Sequence, residues 1–150
     1  MNLVKAAIND NKLLTEITIA SKSHWGYSEV EIKKWIPELT ITSEYLQKNY
    51  VYKLIDSDKL VGFFAFIIRS KDTIELDFFF VSQKHIGSGY RAVTMNHFLP
   101  KVKELKYNKV FLIADPNAET FYAKFGFKVT DYKKSNIIGR LLPVMEKTFE

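Results

Sequence analysis

Apolar residues along this chain change their period several times, and each change marks an element. The opening MNLVKAAI reads as a short strand, and Asn9 or Asp10 then offers an N-cap for a helix in which Leu13, Leu14, Ile17 and Ala20 recur at helical spacing. SKSHWGYS breaks that pattern at Gly26. A second helix is expected from Ser28, with Glu31 three residues on as in a capping box and Pro37 ending or interrupting it. A short third helix follows near Ser43 to Gln47. From residue 50 the period becomes that of strands: NYVYKLI, LVGFFAFIIR and TIELDFFFV are β-branched and aromatic runs separated by the polar turns DSDK and SKD, as in an antiparallel meander. The next element is a helix over Tyr90 to Leu105, carrying Val93, Met95, Phe98, Leu99 and Val102, with Pro100 inside it removing a backbone donor. NKVFLIA is then a short buried strand, PNAETFYAKFG a helix ending at Gly126, and FKVTDY another strand. RLLPVMEKTF closes the chain as a strand in which Pro143 points to an edge or a bulge. The order is that of an α+β (mixed α/β) domain.

Composition narrows the classes. With 150 residues, 47% of them hydrophobic and 15% aromatic, the chain can bury a core of its own, and without repeats or Pro/Gly-rich linkers it reads as one domain, 1–150. No apolar run reaches the length of about 18 residues that a membrane helix needs, and MNLVKAAINDNKLL has neither an apolar signal core nor a small-residue cleavage site, so a cytoplasmic protein is expected. The absence of cysteine excludes disulfides, thiolate metal sites and cysteine nucleophiles together. A net charge of +5 favours an anionic partner, but the lysines are interleaved with acids and apolar residues and form no long basic tract. That distribution suits a small phosphorylated ligand better than nucleic acid, although a basic nucleic-acid-binding protein stays as an alternative class. His24, His85 and His97 have no ligand spacing with one another, so no metal is assigned.

Two glycines one residue apart, in HIGSGYRA, stand between a strand and a helix. The first turn of a helix presents N–H groups without intrahelical partners and the positive end of its dipole, so phosphate oxygens are favoured there, and Gly87 and Gly89 would let the backbone curl around them. No Gly-Lys-Ser/Thr follows, as a Walker loop would require, and the third glycine of a dinucleotide fingerprint is missing. By spacing alone, the stretch is either a pyrophosphate cradle or a simple strand-to-helix turn.

Downstream, PNAETFYAKFGF places Phe121 and Phe125 one turn apart on a short helix stopped by Gly126. With the strand ELDFFFV, the loop and helix HIGSGYRA, and the run from Asn117 to Phe127, all in this order, residues 75 to 128 resemble the GCN5-related N-acetyltransferases (GNAT family). SKSHWGYS and GRLLPVME are similar to segments of a bacterial subgroup. The family's loop pattern, Arg/Gln-x-x-Gly-x-Gly/Ala, falls on Ile86, Gly87, Ser88, Gly89, Tyr90 and Arg91; Gly89 fits, while Ile86 and Arg91 depart without removing a backbone N–H.

The resemblance implies a GNAT-like fold: a central, mostly antiparallel twisted sheet, splayed between two parallel strands and flanked by helices. It implies acetyl-CoA as co-substrate in the splay between TIELDFFFV and NKVFLIA, with Phe79, Phe80 and Val81 offering backbone groups to the pantetheine arm and polarising the thioester carbonyl. It implies Tyr122, beside Phe121, near the sulfur of CoA, where a phenol can protonate the departing thiolate; the same tyrosine could simply pack its ring. Glu75 and Asp77 alternate onto one strand face near the family's base positions and are candidates to deprotonate the acceptor amine, directly or through water. Asn117 matches a family position that contacts CoA, and reads equally as a helix cap after Pro116. Trp25 and Tyr27 fall where the family builds its acceptor wall, where aromatic faces can hold an amine by cation–π contact or pack under the loop. The expected activity is transfer of acetyl from acetyl-CoA to a primary amine of a small molecule or peptide. A CoA-binding module with little or no turnover is the alternative that the irregular Ile86 and Arg91 motivate. The aromatic-rich strands and closing edge are compatible with a homodimer.

Overall fold

Ser28 and Thr42 set the starts of two helices in this chain through their side chains, and a tight turn joins the first two strands of the meander. The computed structural model describes residues 1–135 and 139–149. Strand β1 (Asn2–Lys5) is followed by a 3₁₀ turn and helix α1 (Asn11–Ser23), whose N-cap is Asp10. Helix α2 (Glu29–Leu39) begins at the capping box read from the sequence: Ser28 Oγ accepts from the Glu31 amide at 3.1 Å, and Glu31 Oε1 accepts from the Ser28 amide at 3.0 Å. Pro37 does not end α2. The helix runs two residues past it to Leu39, a correction to the sequence expectation; Ile32, Trp35 and Leu39 are buried, and this packing holds the last turn. Helix α3 (Ser43–Lys48) is capped by Thr42, whose hydroxyl accepts from the Tyr45 amide at 3.0 Å.

The meander follows as β2 (Tyr50–Asp56), β3 (Lys59–Ile68) and β4 (Thr73–Val81). Ser57 and Asp58 take positive φ values of 49° and 66°, so the β2–β3 connection is a two-residue turn whose twist matches its strands. Helix α4 (Tyr90–Glu104) continues through Pro100, and β5 (Lys109–Ile113) pairs in parallel with the start of β4. A 3₁₀ turn (Pro116–Ala118) leads into helix α5 (Glu119–Lys124), then β6 (Lys128–Lys134) and β7 (Leu141–Thr148). Among the described residues seven strands form one sheet in the order β1-β2-β3-β4-β5-β7-β6. Strand β7 is therefore interior, and Pro143 marks no sheet edge. The Pro143 carbonyl accepts from Ala114, one residue past the last β5 pair, so the missing N–H falls where β5 has already ended. The irregularity lies across from it, in β6 between Val129 and Asp131.

Two compact units divide the chain, Met1–Phe66 with Phe78–Phe98, and Ile67–Asp77 with Leu99 onward. In the first, Leu14 and Ile17 of α1 bury against Val51, Phe63, Ala65 and Phe78, with Ile41 and Leu46 completing the cluster. Phe98 of α4 meets Phe64 edge-on at 5.0 Å. Gly62 permits that layering: a Cβ there would stand 3.0 Å from the Phe80 carbonyl and 3.2 Å from Thr94 Oγ1 of α4. In the second unit Asp72 anchors the start of the parallel ladder, its carbonyl accepting from Asn108 and Lys109 while its carboxylate accepts from Thr73 Oγ1 at 2.9 Å and Ser70 Oγ at 3.0 Å.

Two outcomes test this packing. Gly62→Ala will lower stability by about 1–3 kcal/mol in urea denaturation, because backbone is what the added methyl meets. The hydroxyls of Thr73 and Ser70, with Lys71, hold the Asp72 carboxyl below its ordinary value. A depressed carboxylate stabilises the fold above its ordinary pKa and loses that contribution as pH falls through the folded value. Wild type will thus exceed Asp72→Asn in stability near neutrality, and the gap will close as pH drops below about 4 in denaturation curves taken across pH.

Candidate active site

Strand β4 ends in the first unit with Phe78 and Val81 buried and Phe79 and Phe80 half-buried. The Ser82 amide donates to the Val61 carbonyl of β3 at 2.9 Å, so strand alternation turns the polar groups of Phe79 and Val81 away from β3. Ser21 Oγ of α1 donates to the Val81 carbonyl at 2.6 Å, and this leaves the Val81 amide as the group on offer there. After a 3₁₀ turn (Gln83–His85) the chain makes the loop expected from the sequence. Gly87 and Gly89 have φ values of 90° and 81°, both glycines are exposed, and nothing lies within 4 Å of where a Cβ would be at either. The Val93 amide then donates to the Gly89 carbonyl at 3.2 Å, a helical bond that puts Gly89 at the head of α4.

The loop is held from its two ends. Tyr90, the first residue of α4, donates its hydroxyl to Asp56 Oδ2 at the end of β2, and the His85 ring meets the Tyr90 ring edge-on at 5.4 Å. The bond to Asp56 raises the Tyr90 phenol above its ordinary value, so the donor keeps its proton. Arg91, which departs from the family pattern, lies with Cζ 5.8 Å from the centre of the Trp25 ring. Trp25 itself is exposed and edge-on to His24. Tyr27 takes a different role: with Trp35 it flanks the Lys22 ammonium, at 5.4 Å and 5.2 Å from the two rings. Ile86 is half-buried and Ser88 exposed within the loop.

In the second unit Glu75 and Asp77 share the face of β4 opposite the buried Ile74 and Leu76, as alternation requires. Glu75 Oε1 accepts from both Nε and Nη2 of Arg69, and Asp77 is exposed. Tyr122 is buried, and the end of its helix fixes it there. The Phe127 amide donates to the Tyr122 carbonyl at 3.3 Å and the Gly126 amide to the Ala123 carbonyl at 3.1 Å, with Gly126 at φ 90°, which is a Schellman ending. The two flanking rings close on Tyr122, Phe127 at 5.7 Å and Phe121 at 5.4 Å, both edge-on. Asn117 does not cap the helical segment. Asp115 does, its Oδ1 accepting from the Asn117 amide and from Asn117 Nδ2, both at 2.9 Å. The sequence signal for this was present, an Asp immediately before a Pro at the first helical position. The other Asp115 oxygen meets Arg140 Nη2 at 3.0 Å, and Arg140 Nη1 donates to Ser135. No sequence signal joins Asp115 to Arg140, or Asp56 to Tyr90, because each pair lies tens of residues apart.

Residues 23–148 match the family model described as an acetyltransferase (GNAT) domain. The chain belongs to the GNAT N-acetyltransferases. Solved structures share the fold of this GNAT chain at low identity. PaiA N-acetyltransferase from Thermoplasma acidophilum, in complex with coenzyme A, has a TM-score of 0.80 at 21% identity over 99% of this chain and 98% of its own. A GNAT acetyltransferase from Elizabethkingia anophelis with acetyl-CoA bound has 0.72 at 13%, over 99% and 97%. An aminoglycoside 6'-N-acetyltransferase complexed with coenzyme A has 0.71 at 16%, over 99% and 97%. No curated protein matches the sequence. The GNAT chain has no helix long and apolar enough to cross a membrane, and no group of three or more His, Asp or Glu suited to a metal, among its described residues.

The Schellman ending gives a direct test. Gly126→Ala will cost about 1 kcal/mol in urea denaturation, since a methyl at positive φ is strained.

Proposed function

We propose that this GNAT protein, acting as a single cytoplasmic acyltransferase domain over residues 1–150, transfers acetyl from acetyl-CoA to a primary amine of a small molecule or peptide. The observation that carries the reading is the loop Ile86–Arg91: two glycines at positive φ, open space where side chains would otherwise stand, and the head of a 15-residue helix directly behind. Amides of Gly87, Gly89, Tyr90 and Arg91 suit a pyrophosphate, with Ser88, whose amide donates to the His85 carbonyl at 3.2 Å, offering its exposed hydroxyl, and the Arg91 guanidinium adds charge at the same helix end. The backbone at the end of β4, Phe79 to Val81, suits the amides of a pantetheine arm, with the Phe80 ring packed on the core 6.2 Å from that of Phe63. Asn117 and Phe121 complete the set of residues that the family resemblance places at the cofactor.

Acetyl-CoA supplies the activated acyl group; the chain supplies position and protons. It has no cysteine to carry the acyl group, which favours direct attack in a ternary complex. An amine is mostly protonated at neutral pH and must lose a proton before it attacks. Glu75 and Asp77 take that role through water, with Asp77 the exposed member and Glu75 held by Arg69. Tyr122, clamped by Phe121 and Phe127, donates a proton to the departing thiolate. Trp25 and Tyr27 line the acceptor side. The seat that Tyr27 and Trp35 give the Lys22 ammonium supports aromatic recognition of a cation in that region.

Calorimetric titration of acetyl-CoA tests the reading, with Gly89→Glu as the blocked loop. Micromolar binding by wild type, abolished in the variant, is the expected result. In an amine screen by thiol release, Tyr122→Phe will turn over about a hundredfold more slowly with little change in acetyl-CoA affinity. A folded wild-type protein that binds no acetyl-CoA would overturn the reading.

A further inference from the structure

We propose that Asp56, Tyr90 and His85 form a clasp that sets the shape of the Ile86–Gly89 loop and thereby its affinity for the pyrophosphate of acetyl-CoA. The inference rests on the reading of that loop as a phosphate cradle. Asp56 and His85 enter it as positioning residues.

Within the loop the Ser88 amide donates to the His85 carbonyl at 3.2 Å, but the two glycines are not packed. Gly87 and Gly89 are exposed, make no packing contact that a Cβ would share, and have access to more backbone conformations than any other residue type. A ligand binding to such a loop bears the entropy of ordering it, and preorganisation restores that affinity. The clasp supplies preorganisation at both stems. On one side stands His85, the last residue of the 3₁₀ turn; on the other stands Tyr90, the first residue of α4, and their rings meet at 5.4 Å with planes 87° apart. This contact closes the four residues between them into a loop of fixed span. The buried Nδ1 of His85 has no hydrogen-bond partner among the described residues, so its ring contact with Tyr90 is the interaction that orients it.

Tyr90 ties the closed loop to something rigid. Its hydroxyl donates to Asp56, the last residue of β2, which pairs with Lys59 across the two-residue turn. A phenol-to-carboxylate hydrogen bond is of the stronger, charge-assisted kind. The raised phenol keeps the donor protonated throughout the neutral range. The amide of Tyr90 lies in the first turn of α4, where N–H groups face outward. Anchoring the side chain therefore fixes the direction of that amide and its neighbours.

The test is calorimetry with CoA on wild type, Tyr90→Phe, Asp56→Ala and Asp56→Asn, at a temperature where circular dichroism shows all four folded, together with hydrogen exchange of the Gly87 and Gly89 amides. Tyr90→Phe and Asp56→Ala should each bind CoA about tenfold more weakly, with faster exchange at both glycines. Asp56→Asn keeps an acceptor for the phenol and should recover most of the affinity. If wild type binds CoA and the variants bind it equally, the clasp is refuted while the phosphate reading stands, and a lowered melting temperature or faster exchange without an affinity change refutes it too. If wild type binds no CoA, both fail.

Discussion

Parallel pairing of β4 with β5 is the constraint on which the candidate site depends. Thr73, Ile74 and Glu75 run beside Lys109, Val110 and Phe111, and two parallel neighbours cannot be joined by a hairpin. The chain must cross over, and the crossover carries the loop proposed here as the phosphate cradle. It consists of the end of β4, the glycine loop and α4, so the abrupt change from strand to helix at Gly87 and Gly89 follows from the pairing itself. The ladder holds three rungs among the described residues, although β4 runs on to Val81. Beyond those rungs the polar groups of Phe79 and Val81 are directed away from β3.

Candidate groups in each unit are held by individual hydrogen bonds and ring contacts. In the first, a hydroxyl of α1 takes the Val81 carbonyl, and a carboxylate at a hairpin end takes the Tyr90 phenol. In the second, a helix ending fixes Tyr122 through two backbone bonds to its carbonyl and two ring contacts, and a guanidinium fixes Glu75 through two bonds to a single oxygen. None of these devices is large. Each limits the directions open to the group it holds.

The sequence was legible where an element is governed by its own neighbours. Ser28 with Glu31, the DSDK turn, the alternation in TIELDFFFV and the stop at Gly126 are all local patterns, and each is found in the structure as expected. It was misleading where distant packing overrides local preference. Pro37 stays inside α2 because Trp35 and Leu39 are buried, and Pro143 stays inside the sheet because β5 ends one residue too early to need its N–H. Of the two readings of Asn117, the helix cap goes to Asp115 instead. The pairs Asp56–Tyr90 and Asp115–Arg140 left no trace in the sequence, since no periodicity links residues brought together only by folding. The family resemblance lay in the loop and the Phe-Tyr helix, both local, and so it was visible from the start.

Strand β6 forms one border of the sheet, and almost all of it faces solvent. A border of that kind offers a row of backbone donors and acceptors on which another chain could grow. Lys128, Lys133 and Lys134 stand along it, with Asp131 between, and the shift at Val129 to Asp131 breaks its regular spacing. Charge and irregularity together make the border a poor template. A protein with so many aromatic strand residues is thereby guarded against fibrous growth at this end.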